Sequence, residues 1–408
     1  MKKRLLSALA ALPLLAPLVP AHAQDTIKIG MFGPLTGAAA TGGISFRKGW
    51  EYGLKQINDA GGLVVDGKKK PIELIVEDSQ SRAEVGLTAA QKLLTRDNVD
   101  ILIGDMVGSD VTLATMQLAP AFPTKLFYTG EAISLDIAKK IAADPKSFAH
   151  VWKHNFSSDS YASTVNDTLM QLVGDGQLQP KNKSVAIFSE DTSSAKPIWE
   201  ALEPLLAKNG WKVAMLETVP IGQSDFYPQI SKLRQLQPDF IVSFFTAMNS
   251  GTGLVKQLRE QGVKTPHFGI NFPTLNNFIA AAGPAAEGLL YAPMLFDPVN
   301  NPRHREFGEK MKGFLGAIPD NNNVDAYCNA MLMADVITRA GSLQVAKLDA
   351  AMAATDHQCL TSRRVFNPGT HAPRTDAGYF QVPSGQIQNG QLYAVWPKSV
   401  ATATYRAP

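Results

Sequence analysis

The sequence predicts an α/β protein made of two doubly wound parallel sheets. Apolar runs of strand length alternate with amphipathic helical stretches, this alternation occurs twice, and 408 residues are enough for two domains. The predicted strands of the first series are residues 27–32, 72–77, 101–103 and 125–128. Those of the second series are residues 184–188, 212–218, 240–244 and 267–270.

Each apolar run is followed by a stretch whose apolar residues recur at helical spacing. After the first run, Trp50, Leu54 and Ile57 lie on one face of a predicted helix. Further helices are predicted over residues 83–96, 110–119, 197–209, 226–236 and 250–261. Because strands that alternate with helices pair in parallel, each series predicts one parallel sheet with helices on its faces.

A third block follows the two series and is less regular. It contains a predicted strand at residues 288–293, helices at 303–315, 324–340 and 348–354, and two further strands at 378–382 and 391–396. The block returns from strand to helix and then to strand again. We therefore expect the chain to cross between its two domains more than once.

The N-terminus has the three parts of an export signal. Residues 1–4 are positively charged, residues 5–19 are mostly apolar, and residues 21–23 fit the small-x-small cleavage pattern. The alternative is a membrane anchor, but prolines interrupt a run that is already shorter than the roughly 20 residues of a spanning helix. We predict a cleaved signal peptide over residues 1–23, a mature chain that starts at Gln24, and no insertion into the membrane.

The charge balance gives no support to a nucleic-acid partner or to binding at an acidic membrane surface. Three of the 39 basic residues lie in the predicted signal peptide, so the mature chain has 36 basic and 36 acidic residues. A neutral chain lacks the net positive charge by which proteins bind phosphate groups on nucleic acids and membranes.

The chain has only two cysteines, Cys328 and Cys359. In an exported protein an even number of cysteines favours a disulfide, and the alternative is a pair of buried free thiols. Two cysteines are too few for a structural zinc site.

The sequence lacks the common signatures of nucleotide binding and catalysis. It contains no phosphate-binding loop of the G-x-x-x-x-G-K-S/T type, no H-E-x-x-H and no G-x-S-x-G. His150 and His154 are four positions apart, but we do not favour a metal pair there. We therefore predict no catalytic residue, no metal site and no cofactor, and we do not expect an enzyme.

Several motifs, taken in their order along the chain, resemble a known family. The first is Ile29-Gly30, Gly33-Pro-Leu-Thr-Gly37 and Thr41-Gly42, followed by a helix that ends Ile57-Asn-Asp-Ala-Gly-Gly62. Others are Glu77-Asp-Ser-Gln80, Asn98-Val-Asp-Ile-Leu-Ile-Gly104, Val151-Trp-Lys-His-Asn-Phe-Ser-Ser-Asp159, Asp225-Phe-Tyr-Pro228, Ala285-Ala-Glu-Gly-Leu-Leu-Tyr291 and Val395-Trp-Pro397. These segments are similar to the branched-chain-amino-acid type of periplasmic binding protein, the type I substrate-binding subunits of ABC importers.

The resemblance implies two Rossmann-like lobes that are joined by a three-crossing hinge and close on a ligand. Lobe 1 would comprise residues 24–149 and 296–357, and lobe 2 residues 150–295 and 358–408. We expect a monomeric periplasmic protein that captures a small organic ligand, carboxylate or amino-acid-like, and delivers it to an inner-membrane ABC permease. The alternatives are a ligand-sensing receptor subunit and, less favoured, an exported enzyme.

The resemblance places ligand contacts in the loops that follow the strands, where α/β sheets bind ligands. The lobe 1 candidates are Thr41, Met106, Gly108, Ser109, Thr129, Gly130 and Glu131. The lobe 2 candidates are Thr192, Ser193, Phe245, Thr246, Asn271 and Phe272. The alternatives are a helix cap at Ser109 and core positions for Met106, Phe245 and Phe272.

Two candidates depart from the amino-acid binders of the family. Those proteins typically carry Tyr at the position aligned with Ser193 and Glu at the position aligned with Asn271, and this Glu pairs with the α-ammonium group of the ligand. A neutral Asn cannot compensate a buried positive charge. Unless Glu131 or Asp105 replaces the missing carboxylate, we predict an aliphatic or aromatic organic carboxylate rather than leucine, isoleucine or valine.

Overall fold

The computed structural model describes residues 25–275, 277–376 and 378–407, so the predicted signal peptide lies outside the described residues. Two large sheets follow one another along the chain, and helices cover them. This arrangement confirms the predicted α/β class with two doubly wound sheets.

The first series of strands and helices ends with a short strand at Val151–Trp152. Its elements are β1 (Ile27–Gly33), α1 (Ala40–Asp59), β2 (Leu63–Val65), β3 (Lys68–Lys70), β4 (Ile72–Asp78), α2 (Ala83–Thr95), β5 (Ile101–Ile103), α3 (Ser109–Thr115), β6 (Leu126–Tyr128), α4 (Leu135–Ala143) and β7 (Val151–Trp152). A 3-10 helix at Met116–Ala121 follows α3.

The second series alternates helix and strand with greater regularity. Its elements are α5 (Ser160–Gly174), β8 (Ser184–Glu190), α6 (Lys196–Lys208), β9 (Lys212–Val219), α7 (Tyr227–Leu236), β10 (Phe240–Phe245), α8 (Met248–Glu260), β11 (His267–Asn271), α9 (Phe278–Ala282) and β12 (Leu290–Ala292). Two 3-10 helices flank α9, at Phe272–Thr274 and Gly283–Ala286.

The third block supplies helices first and strands afterwards. Its elements are α10 (Pro302–Leu315), α11 (Asn321–Ala340), α12 (Val345–Ala353), β13 (Asp356–Gln358), β14 (Arg363–Val365), β15 (Ser384–Gln388) and β16 (Gln391–Trp396). The strand predicted at residues 378–382 is wrong. The N–H groups of Tyr379 and Phe380 there donate to nearby carbonyls of Asp376 and Arg374, so they do not pair with a neighbouring strand.

The two sheets differ in size and in the direction of their last strands. Sheet 1 has the order β4-β1-β5-β6-β7, and all of its strand pairs are parallel. Sheet 2 has the order β16-β15-β12-β11-β10-β8-β9, in which β15 pairs antiparallel with both β12 and β16. Every residue of β8 and β10 is buried, which explains the continuous apolar runs that predicted these strands.

The third block divides between the two sheets. We define lobe 1 as sheet 1 with the elements that pack on it, including α11, and lobe 2 as sheet 2 with its own helices. Phe366 lies in the apolar core of lobe 1, whereas Phe380 and Val382 lie in that of lobe 2. This packing supports a first crossing after Trp152, which is in β7, and a third crossing between Phe366 and Phe380. By the definition used here, residues up to Asn155 and the β13–β14 hairpin belong to lobe 1, whereas the predicted bounds place residues 150–155 and 358–365 in lobe 2. Those predicted bounds stay a prediction.

Close packing of α1 against α11 attaches the third block to lobe 1. A Cβ atom on Gly49 would lie 2.2 Å from the carbonyl oxygen of Asn323, and one on Gly53 would lie 2.7 Å from Cβ of Ala330. Larger residues at these two positions would therefore push the helices apart. The close approach brings the N-terminal part of α11 to the edge of sheet 1 where its strands end.

Buried polar side chains hold two of the crossings. Lys153 follows β7, and its Nζ donates to three backbone carbonyls at 2.6–3.1 Å, while burial lowers its pKa to about 7. Asn321 holds the second crossing, because its side chain accepts from the N–H of Phe296 and donates to the carbonyl of Pro293. The chain segments between the lobes are thus fixed by hydrogen bonds from lobe 1.

The two cysteines form a disulfide, as the exported character of the chain favours. It joins Cys328 in α11 to Cys359, which follows β13, across a sequence separation of 31 residues. The cross-link therefore ties α11 to the β13–β14 hairpin.

We predict that replacing both cysteines by serine lowers the free energy of unfolding by about 2–4 kcal/mol, because the cross-link restricts the unfolded chain. Urea-induced unfolding followed by circular dichroism measures the change. Wild-type protein in reductant should match the double variant, and a thiol count on denatured, unreduced protein should find no free thiol. Two free thiols would contradict the assignment.

Candidate ligand-binding site

A small cavity of about 40 Å³ lies between the lobes, where strands of both sheets end. Its polar lining residues are Glu131, Asn155, Asn321, Asn322 and Asp325 from lobe 1 and Ser194, Thr246 and Asn271 from lobe 2. Its apolar and aromatic lining residues are Val107, Ile133, Phe156, Tyr161, Phe244, Pro293 and Leu295. Parallel α/β sheets bind ligands at this edge, so the cavity is the candidate site.

A buried carboxylate shapes the loop after β5. Asp105 accepts from the N–H groups of Val107 at 2.8 Å and Gly108 at 2.7 Å, and from Ser79 Oγ at 2.7 Å. Burial raises the pKa of Asp105 to about 6, although these hydrogen bonds favour the charged form. Because its oxygens are engaged within lobe 1 and it does not line the cavity, Asp105 does not replace the carboxylate missing at Asn271.

Lobe 2 uses a buried carboxylate in a similar way. Glu190, at the end of β8, accepts from the N–H groups of Thr246 at 2.5 Å and Ala247 at 3.2 Å, and burial raises its pKa to about 6. These bonds fix the loop after β10. Asn271 has a φ of 73°, which Asn tolerates better than most residues, and its side chain donates to the carbonyl of Phe245 at 3.3 Å.

Three hydrogen bonds join the lobes beside the cavity. Ser109 Oγ accepts from Ser194 Oγ at 2.6 Å and also from two backbone N–H groups in the loop after β6. The N–H of Ser193 donates to the carboxylate of Asp110 at 3.2 Å, and Ser134 Oγ donates to the carbonyl of Ser193 at 3.0 Å. The structure therefore has its lobes in contact.

Four ionisable side chains of lobe 1 form a buried polar cluster: Glu131, His154, Asp325 and Arg364. Asp325 accepts from Arg364 Nη2 at 2.5 Å, and its other oxygen lies 2.8 Å from His154 Nε2. Glu131 Oε2 accepts from Asn155 at 2.5 Å, whereas Oε1 lies 3.3 Å from His154 Nε2 and has no hydrogen bond. One carboxylate of the cluster is thus paired with a cation, and the other has an oxygen without a donor.

The two carboxyl groups of the cluster have pKa values shifted in opposite directions. Burial opposes ionisation of Asp325, but the charge of Arg364 and the hydrogen bond from His154 hold its pKa well below the usual value. Burial, followed by the negative charge of Asp325, raises the pKa of Glu131 to about 7. Asp325 is therefore the ionised member, and Glu131 exchanges a proton near neutral pH.

Three members of the cluster could hold a metal ion. Glu131, His154 and Asp325 each offer one ligand atom, and these atoms lie within 4.8 Å of one another. Arg364 already binds one oxygen of Asp325, and the other lies 2.8 Å from His154 Nε2, so a metal ion would have to replace the contact between Asp325 and His154.

The structure brings some of the predicted contact residues together and separates others. Glu131, Thr246 and Asn271 line the cavity. Loops after the strands or the start of α3 hold Gly108, Ser109, Thr129, Gly130, Thr192 and Ser193, none of which lines the cavity. Thr41 lies in α1 and also does not line it. The fully buried Met106, Phe245 and Phe272 pack in the apolar cores, which is where the alternative reading placed them. The binding role of these predicted contact residues stays a prediction.

Sequence reasoning missed Ser194 and the polar cluster residues of the third block. Asp325 and Asn329 are buried four positions apart in α11, and buried polar residues at helical spacing in an apolar helix need partners. That pattern could have identified α11 as part of the site. Arg364 lies in a strand of three residues and carries no such signal.

A family model described as periplasmic binding protein matches residues 26–387. The chain belongs to this family. Leu/Ile/Val-binding protein homolog 1 of Brucella suis is 27% identical over 347 residues, which cover 84% of this chain and 85% of the relative. The leucine-, isoleucine-, valine-, threonine- and alanine-binding protein of Pseudomonas aeruginosa is 25% identical over 353 residues, which cover 85% and 87%.

Solved structures share the type I periplasmic binding fold. One is the substrate-binding protein of a branched-chain amino acid transporter from Streptococcus pneumoniae in complex with isoleucine, with a TM-score of 0.76, 19% identity and coverage of 91% of this chain and 100% of that chain. Another is a solute-binding protein of an ABC transporter from R. palustris in complex with benzoate, with a TM-score of 0.77, 19% identity and coverage of 94% and 98%. The resemblance that the motifs indicated is confirmed.

The family and these relatives are binding proteins, so this periplasmic binding protein is not an enzyme. Among the described helices, none combines the length and the apolar character that crossing a membrane requires.

We predict that Asp105→Asn changes how stability depends on pH. A carboxyl group whose pKa is raised from 3.8 to about 6 by folding contributes stability below pH 4 that is lost as the pH rises through 6. The variant has no such titrating group at this position and does not lose this stability. The difference in unfolding free energy, variant minus wild type, should therefore rise by about 2–3 kcal/mol between pH 4 and pH 7.

Urea unfolding at each pH tests this prediction. Asp136→Asn, at an exposed position in α4, is the matched control and should follow the wild-type profile. Parallel stability curves for Asp105→Asn and wild type would contradict the assignment.

Proposed function

We propose that the protein is the solute-binding component of an ABC importer. It is exported by the cleaved signal at residues 1–23, captures a small organic ligand between its lobes and delivers it to an inner-membrane permease. The ligand is a carboxylate or is amino-acid-like. No bond of the ligand is made or broken, so binding and release constitute the whole function.

The observation that carries this proposal is the cavity lined by polar side chains of both lobes. Glu131 and Asn155 from lobe 1 and Ser194, Thr246 and Asn271 from lobe 2 surround it. A ligand can contact both walls only when the lobes are together. Such a ligand binds the closed form more tightly than the open form, and this difference in affinity favours closure.

The size of the cavity supports capture by movement of the lobes. Its volume of about 40 Å³ is well below the roughly 300–1,000 Å³ of typical ligand pockets. A ligand therefore enters after the lobes separate, which breaks the Ser109–Ser194 hydrogen bond and its neighbours. When the lobes close again, hydrogen bonds between them help to hold the closed form around the ligand.

The relatives support a small ligand with a carboxylate and an apolar body. The Pseudomonas aeruginosa relative is named for five amino acids, and the two solved structures contain isoleucine and benzoate. In this chain Phe156, Phe244 and Leu295 supply apolar contacts for the body of such a ligand. The polar residues of both walls supply partners for its charged end.

A thermal-shift screen of several hundred metabolites tests the proposed function. We expect a small, chemically related group of carboxylates or amino acids to raise the melting temperature, since a ligand at about 100 times its Kd stabilises by roughly 2.7 kcal/mol. Calorimetry should then give one ligand per chain, and mass spectrometry should recover the ligand unchanged. A screen without any hit, or turnover of a hit, would contradict the proposal.

We predict that Ser194→Ala weakens binding of a ligand found in this way by about 3- to 10-fold, because the closed form loses one hydrogen bond between the lobes. Its unfolding free energy should stay within about 1 kcal/mol of wild type. Titration calorimetry measures the affinity. Ser231→Ala, on the exposed surface of α7, is the control. Equal affinities of Ser194→Ala and the control would argue against closure through this bond.

A further inference from the structure

The cavity is lined by two acidic side chains and by no basic one. Glu131 and Asp325 are its charged lining residues, and no lysine, arginine or histidine is among the described residues that line it. The lobe 2 wall offers only neutral polar groups, including Thr246 and Asn271. The charge that a ligand meets in the cavity is therefore set by lobe 1.

The charge of Asp325 is compensated inside lobe 1. Arg364 is only 1% exposed, does not line the cavity and pairs with Asp325 at 2.5 Å. Its guanidinium carbon lies 3.4 Å from the ring centroid of Phe380, which packs edge-on against Phe156 of the cavity wall. Nε and Nη1 of Arg364 have no hydrogen-bond partner, but this aromatic packing shields them. Arg364 thus compensates the charge of Asp325 and is not placed to contact a ligand in the cavity.

Glu131 has no such partner. Asn155 holds Oε2 and fixes the direction of the carboxylate, but an amide brings no charge. Oε1 has no hydrogen bond, and the nearest basic group is the imidazole of His154, whose Nε2 lies closer to Asp325 than to Glu131. A buried carboxylate with an unused oxygen at the wall of a cavity is matched by a hydrogen-bonding cation.

We propose that Glu131 is the lobe 1 acceptor for a cationic ammonium group of the ligand. This assignment rests on the proposed function and specifies that the bound ligand carries a positively charged group. The ammonium group donates to Oε1 of Glu131. The carboxylate of Glu131 thereby compensates the positive charge that the neutral Asn271 of lobe 2 cannot compensate. The preference for organic acids that was expected from Asn271 is thereby reversed. A carboxylate without an amino group would add a negative charge beside Glu131 and Asp325.

A divalent cation is the main competitor for the same atoms, because Glu131, His154 and Asp325 could also ligate a metal. Two contacts favour the ammonium group. Arg364 already neutralises Asp325, and His154 Nε2 already has two polar neighbours without a metal, Asp325 Oδ2 at 2.8 Å and Asn329 Nδ2 at 2.6 Å. The cluster therefore lacks one monovalent cation rather than a divalent one.

Calorimetry with matched probe pairs tests the assignment. Each pair differs only in the amino group: L-leucine against isocaproate, L-phenylalanine against hydrocinnamate, and a panel of other L-amino acids against their deaminated acids. Wild type, Glu131→Gln, Glu131→Asp and the control Asp136→Asn are titrated with every probe and with Zn²⁺ and Mn²⁺ alone.

We expect wild type to bind at least one amine-bearing probe about 10- to 100-fold more tightly than its deaminated partner. Glu131→Gln should lose this preference. Glu131→Asp, which keeps the charge, should retain a preference, and Asp136→Asn should behave like wild type.

Three results would overturn the assignment. These are equal binding of every amine-bearing probe and its deaminated partner by wild type, an unchanged preference in Glu131→Gln, and tight metal binding that depends on Glu131 without discrimination between the probe pairs. None of them contradicts the proposed function, which is tested separately by the metabolite screen. Failure of every probe to bind overturns this assignment, and the proposed function fails as well only if that screen finds no ligand.

Discussion

Burial of carboxylates at the carboxyl ends of the strands is the constraint on which the cleft depends. A carboxylate removed from water is costly unless donors or a cation surround it. Asp105 and Glu190 satisfy this requirement with backbone N–H groups, and in doing so they fix the loops of lobes 1 and 2. Asp325 satisfies it with Arg364. Glu131 alone among these four has an oxygen with no hydrogen bond, and Glu131 is a lining residue of the cavity.

The polar cluster forms because the third block packs against lobe 1 and contributes Asp325 and Arg364 to it. Gly49 and Gly53 let α11 approach α1, so that Asp325 reaches the ends of strands β6 and β7. The disulfide at Cys328 then ties α11 to the hairpin that carries Arg364. Helix packing, a covalent bond and an ion pair thus position one side chain of the cavity wall. The first series alone contributes Glu131 but not the Asp325–Arg364 ion pair beside it.

Local periodicity was enough to predict most of the parallel strands of both sheets, because a buried parallel strand is apolar along its whole length. It did not predict β15, which pairs antiparallel in sheet 2. It was not enough for the third crossing, since only packing assigns Phe366 to lobe 1 and Phe380 to lobe 2. The residues of the site also fall into those that sequence position predicts and those that it does not. Glu131 follows a strand and could be found from its position, whereas Asp325 and Arg364 are 39 positions apart and meet only in the folded protein. An apolar residue after a strand fits a core as well as a cleft, and therefore sequence alone does not place it.

The two walls of the cleft differ in how many chain segments build them. The lobe 2 wall comes from one continuous stretch that includes Ser194, Thr246 and Asn271, whereas the lobe 1 wall joins the loops after β6 and β7 to a distant helix. Exchange of that one stretch would therefore carry the polar groups of the lobe 2 wall with it. No single segment carries the lobe 1 wall, because Glu131 and Asp325 come from different blocks of the chain. The charged part of the site is thus the part that cannot be transferred to another protein as one segment.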